Sequence, residues 1–285
     1  MIRIIDGVAY EGKRSGDFTL KAVDLGNGHL EVSSSRNMVW EEQEWSPIAI
    51  EMYLECVEKD REERADELRE RSAKIAANRA KKKVRHLCKA MAADSLLTLT
   101  YRANEQDLDR VKKDLKEFNR RVLRVLPGFC FVAGFEQQKR GAWHVHCAVQ
   151  RIPSELPASN GVKVRSFNVL RSIWRSITKD RGGNVDVSKG KKNRSAARIA
   201  AYISKYVTKA FVEGEKWVNR WAKYGAIKAP EPVVLGRFET FREVIAYGCE
   251  LLESTHVVDS MIASRWGDWF YLSAEKNRVG ISRVC

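Results

Sequence analysis

Two histidines separated by a single residue, His144 and His146, stand in the stretch Trp143-His144-Val145-His146-Cys147-Ala148-Val149, which reads as a β-strand. Strand alternation puts both imidazoles on one face and turns Val145 and Cys147 to the other. Two imidazoles so placed suit a shared divalent ion, and firm binding needs a third ligand. Glu136 lies at the end of the preceding candidate strand, where a hairpin turn would bring its carboxylate beside the pair. A His/His/carboxylate set suits Mg²⁺ or Mn²⁺ in a nuclease, with the ion polarising a phosphoryl oxygen. The competing metal reading is a structural zinc that uses Cys147, and alternation argues against it. An isolated His-x-His is a weak signal. It counts here because the chain has only 5 histidines and two of them make the pair.

A second constellation is Tyr202-Ile203-Ser204-Lys205-Tyr206-Val207-Thr208-Lys209. Tyr202 and Tyr206 are four apart and share one helix face, with Lys205 and Lys209 as a second four-spaced pair beside them. One reading is an amphipathic helix with half-buried tyrosines. The other is a nucleophilic phenol with a nearby cation that favours phenolate and holds phosphate. The surrounding charge favours the second. Between residues 162 and 209 there are thirteen Lys or Arg, against Asp180 and Asp186 alone as acids. Within that stretch Lys191, Lys192, Arg194, Arg198 and Lys209 are the candidate DNA-phosphate contacts.

The elements that must position these residues follow from periodicity. Leu96-Leu97-Thr98-Leu99-Thr100-Tyr101 is rich in β formers. Leu108, Val111, Leu115, Phe118 and Val122 recur at helical spacing until Pro127-Gly128. Residues 129–135 and 143–150 form a hairpin, 167–177 a helix, 184–187 a strand and 194–211 a helix free of Gly and Pro. The order β-α-β-β-α-β-α predicts an α+β fold: a ferredoxin-like or RNA-recognition-like antiparallel sheet with its helices on one side.

Outside this core, residues 1–50 read as a few short strands and turns, and 51–92 as one long charged helix. That helix carries no acid from Arg71 to Ala90 but includes Lys81, Lys82 and Lys83, which suits either a solvated face or a basic arm on DNA. Residues 213–285, with Trp217, Trp221, Trp266 and Trp269, read as a mostly helical extension of unassigned role. The composition therefore divides the chain at 1–92, 93–212 and 213–285.

The chain's 285 residues, 44% of them hydrophobic, exclude a disordered chain. A formal charge of +14 favours a polyanionic partner, most simply nucleic acid. The six cysteines form no CxxC pair, which fits reduced thiols and a cytoplasmic setting. No signal-peptide core, membrane-spanning apolar run or GxxxxGK[ST] phosphate loop occurs, so neither a membrane partner nor a fused nucleotide motor is expected.

Taken together, Leu96-Leu97-Thr98-Leu99-Thr100, then His144-Val145-His146, then Tyr202 to Tyr206 resemble the three motifs of HUH endonucleases in order and approximate spacing. The likeness is closest to the rolling-circle replication initiators of bacteriophages and plasmids, whose last motif reads YxxKY. Glu136-Gln137-Gln138-Lys139-Arg140-Gly141-Ala142-Trp143-His144-Val145-His146 is similar to that family's second motif with its leading acid. The resemblance covers about residues 93–212. It implies a DNA endonuclease and strand transferase acting on a single-stranded origin. Mg²⁺ or Mn²⁺ is held by His144, His146 and Glu136, and Tyr202 or Tyr206 forms a 5′-phosphotyrosine with Lys205 nearby. Thr98 and Thr100 lie under the site and position backbone or ligands. A host helicase and polymerase are the implied partners. Two alternatives stand beside this reading. One is an HUH relaxase or single-strand transposase with the same chemistry. The other is a non-catalytic RNA-recognition-like module that stacks bases on Phe129, Phe131 and Phe135.

Overall fold

A computed structural model describes residues 1–188, 195–213, 220–252 and 255–277, with the backbone alone at 188 and 207–213. The chain falls into two compact units, Met1–Ser72 with Pro230–Cys285, and Ala73–Ala229. These limits do not coincide with the composition boundaries at 92 and 212, because the first and last segments of the chain share one sheet.

In the first unit, β1 (Ile2–Ile5), β2 (Val8–Gly26) and β3 (His29–Gln43) form an antiparallel run. The expected short strands are in fact 19 and 15 residues long in β2 and β3. The helix expected over 51–92 is two helices, α1 (Pro47–Glu63) and α2 (Ala65–Ala90). Ser46 caps α1 by accepting from the Ala49 N–H, and Pro47 follows it. The break is Arg64, which leaves helical dihedrals at φ −106°, ψ 20°. Every buried residue of α2 lies from Ala77 onward, in the part that belongs to the second unit.

The mostly helical extension expected over 213–285 is corrected to a mainly stranded one. It contributes β10 (Trp221–Tyr224), β11 (Val233–Phe238), β12 (His256–Ala263) and β13 (Trp269–Lys276), with one 10-residue helix, α6 (Phe241–Glu250). The first unit's strands run β1-β2-β3-β13-β12, with β11 also on β2. Alternate residues of β13, Phe270, Leu272 and Ala274, enter a core with Phe18, Leu20, Val32 and Val244 of α6. Local pattern hid this because the partner of β13 is β3, more than two hundred residues earlier in the chain.

The second unit carries the expected α+β core. β4 (Ser95–Thr100), α3 (Leu108–Val125), β5 (Phe131–Gln137) and β6 (Trp143–Val149) come first. A small β7 (Glu155–Pro157) and β8 (Lys163–Arg165) pair precedes α4 (Ser166–Thr178), β9 (Asn184–Ser188) and α5 (Ala196–Glu213). The sheet order is β10-β5-β6-β4-β9, antiparallel throughout, which is the split βαβ arrangement with β10 added at one edge. Asp107 starts α3 by accepting from the Asp109 and Arg110 N–H groups.

Helices cover both faces of this sheet rather than the one side expected. Leu97, Leu99, Phe131, Phe135 and Val145 pack with Val111, Phe118 and Trp174 of α3 and α4. Leu96, Val132 and Ala148 point the other way, against Val84 and Leu87 of α2 and Ile199 and Ile203 of α5. The physical cause is visible in β4 and β5, where apolar residues occupy consecutive positions and so line both faces. The base-stacking alternative fails on the same packing: Phe129, Phe131 and Phe135 are 6%, 0% and 1% exposed, in the core under α3 and α4. Among the described residues, no helix is long and apolar enough to cross a membrane.

Candidate active site

The site is built on the sheet face that α5 covers. Directly paired residues share a face, and the register sets Gly134 opposite His146, His146 opposite Thr98, and Thr98 opposite Asp186. One step along the hairpin, Glu136 is opposite His144. Four strands thus deliver one row of small or polar groups to a single face. The β5–β6 turn is tight: the Gln138 N–H donates to the Ala142 carbonyl, and Gly141 takes φ 89°.

Glu136 and the histidines come together as strand alternation requires. The His146 Nε2 is 3.0 Å from Glu136 Oε2, and its Nδ1 is 3.3 Å from the Thr98 hydroxyl. A neutral imidazole satisfies both if Nε2–H donates to the carboxylate and Nδ1 accepts from Thr98. His144 stands beside it, the ring centroids 6.5 Å apart, with its Nδ1 3.1 Å from Gln138 Nε2. Burial, and then the neighbouring His146, lowers the His144 pKa below its usual value, which keeps the ring neutral and able to ligate. Two imidazoles and a half-buried carboxylate on one face are a donor set that fits a divalent ion of the hard-to-borderline class. Cys147 faces the opposite way, fully buried among apolar side chains that push its thiol pKa up, so it is no part of this set.

Both tyrosines reach the same imidazole. Tyr206 stacks on His146 with centroids 4.5 Å apart and planes 10° from parallel, while Tyr202 meets its edge at 5.7 Å and 90°. The two phenol rings are 5.3 Å from each other. Ile203, on the same helix, is buried against the sheet and holds α5 down. The Tyr206 phenol pKa is raised, first by burial, then by the Tyr202 hydroxyl and the Glu136 carboxylate. Its phenolate therefore depends on positive charge brought into the site.

The other expected residues lie differently. Lys205 is exposed beside Tyr206 in sequence, and Arg198 is exposed one turn before Tyr202. Lys191, Lys192 and Arg194, and the side chain of Lys209, lie outside the described residues. Thr100 is away from the histidines, its hydroxyl 3.5 Å from the Asn184 carbonyl. Three residues escaped the sequence reading. Gln138 orients His144 and lies inside the motif itself. Asp186, exposed on the edge strand β9, shares the row with His146 and was legible only as an acid in a basic stretch. Gly134 is the third: a Cβ there would lie 3.3 Å from the Tyr206 Cβ, so the glycine lets the tyrosine helix approach the strand. Its signal is a lone Gly inside an apolar strand.

A ferredoxin-like sheet with a histidine pair on an inner strand and two tyrosines on the helix above it defines the class of site. Within this chain, residues 94–211 match the family model of the replication-associated protein ORF2, a span that runs from β4 into α5 and holds every residue of the site. Comparison with curated proteins returned no match, and neither did comparison with solved structures.

Proposed function

We propose that this chain initiates rolling-circle DNA replication by nicking a single-stranded origin through Tyr202 or Tyr206. The observation that carries the reading is the contact of both phenols with one imidazole, His146, at 5.7 and 4.5 Å. The match of residues 94–211 to a replication-associated family favours replication over the relaxase and transposase readings, whose chemistry is the same.

In the proposed reaction the attacking phenol oxygen bonds to the scissile phosphorus, and the bond to the 3′ oxygen breaks. One proton leaves the phenol and one ends on the 3′ oxygen, so none is consumed. The product is a 5′-phosphotyrosine and a free 3′-hydroxyl, and rejoining needs no nucleotide. His144, His146 and Glu136 are the side chains that would hold Mg²⁺ or Mn²⁺, which supplies charge stabilisation at the phosphoryl oxygens. His146 also supports both phenol rings, and Glu136 and Thr98 fix the plane of that imidazole. Lys205, Arg198 and the basic residues on either side of the helix would hold the DNA backbone.

The test uses a labelled single-stranded origin oligonucleotide with Mn²⁺ and a denaturing gel. Tyr202→Phe and Tyr206→Phe each keep some covalent adduct, with Tyr206 the less dispensable, and the double variant forms none. Adduct in the double variant would remove the proposal. His144→Ala and His146→Ala should abolish adduct while leaving DNA affinity largely in place, since phosphate contacts dominate binding.

A further inference from the structure

The first unit carries a second set of metal-ligating side chains, separate from the tyrosine helix. His29 opens β3, Glu275 lies directly opposite it on β13, and Asp259 stands on β12, the next strand out. One ligand atom from each residue, an imidazole nitrogen and two carboxylate oxygens, lies within 4.8 Å of the other two. We infer that His29, Asp259 and Glu275 bind a divalent transition-metal ion that ties β3, β13 and β12 together.

Two backbone features bring the three residues into register. The β2–β3 turn runs through Asn27 at φ 54° and Gly28 at φ 80°. A Cβ on Gly28 would lie 2.8 Å from the Lys276 Cβ, so a bare glycine lets the end of β13 close on the turn, where the Lys276 N–H donates to the Gly28 carbonyl. That closure sets Glu275 across from His29. On the far side, β12 follows β13 residue for residue until the register shifts between Val258 and Ser260. Asp259 is the extra residue of that bulge, and a bulge re-aims a side chain that regular alternation would place elsewhere.

The chemistry of the set selects the ion. Two carboxylates held this close repel each other unless a cation sits between them. The imidazole disfavours Ca²⁺ and Mg²⁺, and the absence of thiolate leaves the borderline ions, with Zn²⁺ and Mn²⁺ the natural probes. Zinc binds such ligands at about 2.0–2.2 Å, so neighbouring donors stand about 3.4 Å apart in a tetrahedron. A spacing within 4.8 Å reaches that by a small contraction of flexible side chains. Asp259 is exposed, which leaves the remaining coordination to water.

The test separates this site from the one under the tyrosines. Full-length His144→Ala/His146→Ala protein is stripped with chelator, loaded with Zn²⁺ or with Mn²⁺ alone, desalted and measured for metal content and thermal unfolding. The expected result is an ion retained per chain and a raised Tm. Adding His29→Gln or Asp259→Asn brings the metal content to background and removes the Tm gain. Asp259 is exposed, so its variant keeps the fold, which circular dichroism checks. Retention of neither ion in the double-alanine protein overturns the inference, and so does equal retention after Asp259→Asn. A failed nicking reading would leave the result unaffected, because the background already lacks those histidines.

Discussion

The His146 imidazole has four partners: Glu136 at Nε2, Thr98 at Nδ1, and the rings of Tyr202 and Tyr206. Of these, Thr98 is the group that sets the ring without taking part in chemistry. Thr98→Val keeps the branched shape and removes the hydroxyl, so the fold should hold while Mn²⁺ affinity and adduct rate fall by about 10–100-fold, as for outer partners of ligating histidines. A metal titration and a single-turnover nicking assay would show it; no change in either would mean the hydroxyl does not orient the ring. His144 makes a pH prediction. Its pKa lies below the usual 6.5, so the folded chain binds fewer protons than the unfolded chain as pH drops through that value. Metal-free protein should therefore lose Tm on acidification below about pH 6.5, and His144→Ala should flatten that loss.

Between elements, the contact that matters is α5 on β5, and Gly134 sets its closeness. Gly134→Val inserts a branched side chain where even a Cβ stands 3.3 Å from Tyr206. Overpacking of this kind costs about 1–3 kcal/mol, and the displaced helix should lower adduct yield further than the stability loss explains. Gly16→Ala, where nothing lies within 4 Å of the added carbon, is the matched control and should change neither Tm nor yield. At this scale the sequence was readable wherever the signal is local. The elements from β4 to α5 were legible because their apolar residues repeat at period 2 or 3.6 within each element. The pairing of Glu136 with His146 was legible because a hairpin joins neighbours. The strands β11 to β13 were not, since their partners β2 and β3 are remote and an apolar, tryptophan-bearing segment suits either structure. Nor was the second covered face, which depends on where α2 and α5 dock.

Over the whole molecule, the charge of +14 and the basic stretch around the last motif predict steep salt dependence. If Lys191, Lys192, Arg194, Arg198 and Lys209 each contact a phosphate, the slope of log K against log salt on single strands should be about −3.5. Titrations between about 50 and 200 mM salt would measure it, and a flat response would exclude a phosphate-tracking surface. The cysteines offer a check on the packing. Cys88, its thiol pKa pushed up to about 12 by burial, and the buried Cys147 should resist maleimide until the protein unfolds, whereas the exposed Cys56 should react at once.

The sheet of the first unit has one more consequence, which concerns time rather than space. β13 lies between β3 and β12, so an interior strand of that sheet leaves the ribosome long after the strand it must pair with. The second unit is complete once residue 229 has emerged, while β3 still waits for its neighbour. A premature stop after about residue 265 would therefore spare the tyrosine site but leave β3 as a long open edge, prone to pair with another chain. Nonsense mutations in this stretch of the gene should yield protein that aggregates rather than protein that is merely shorter.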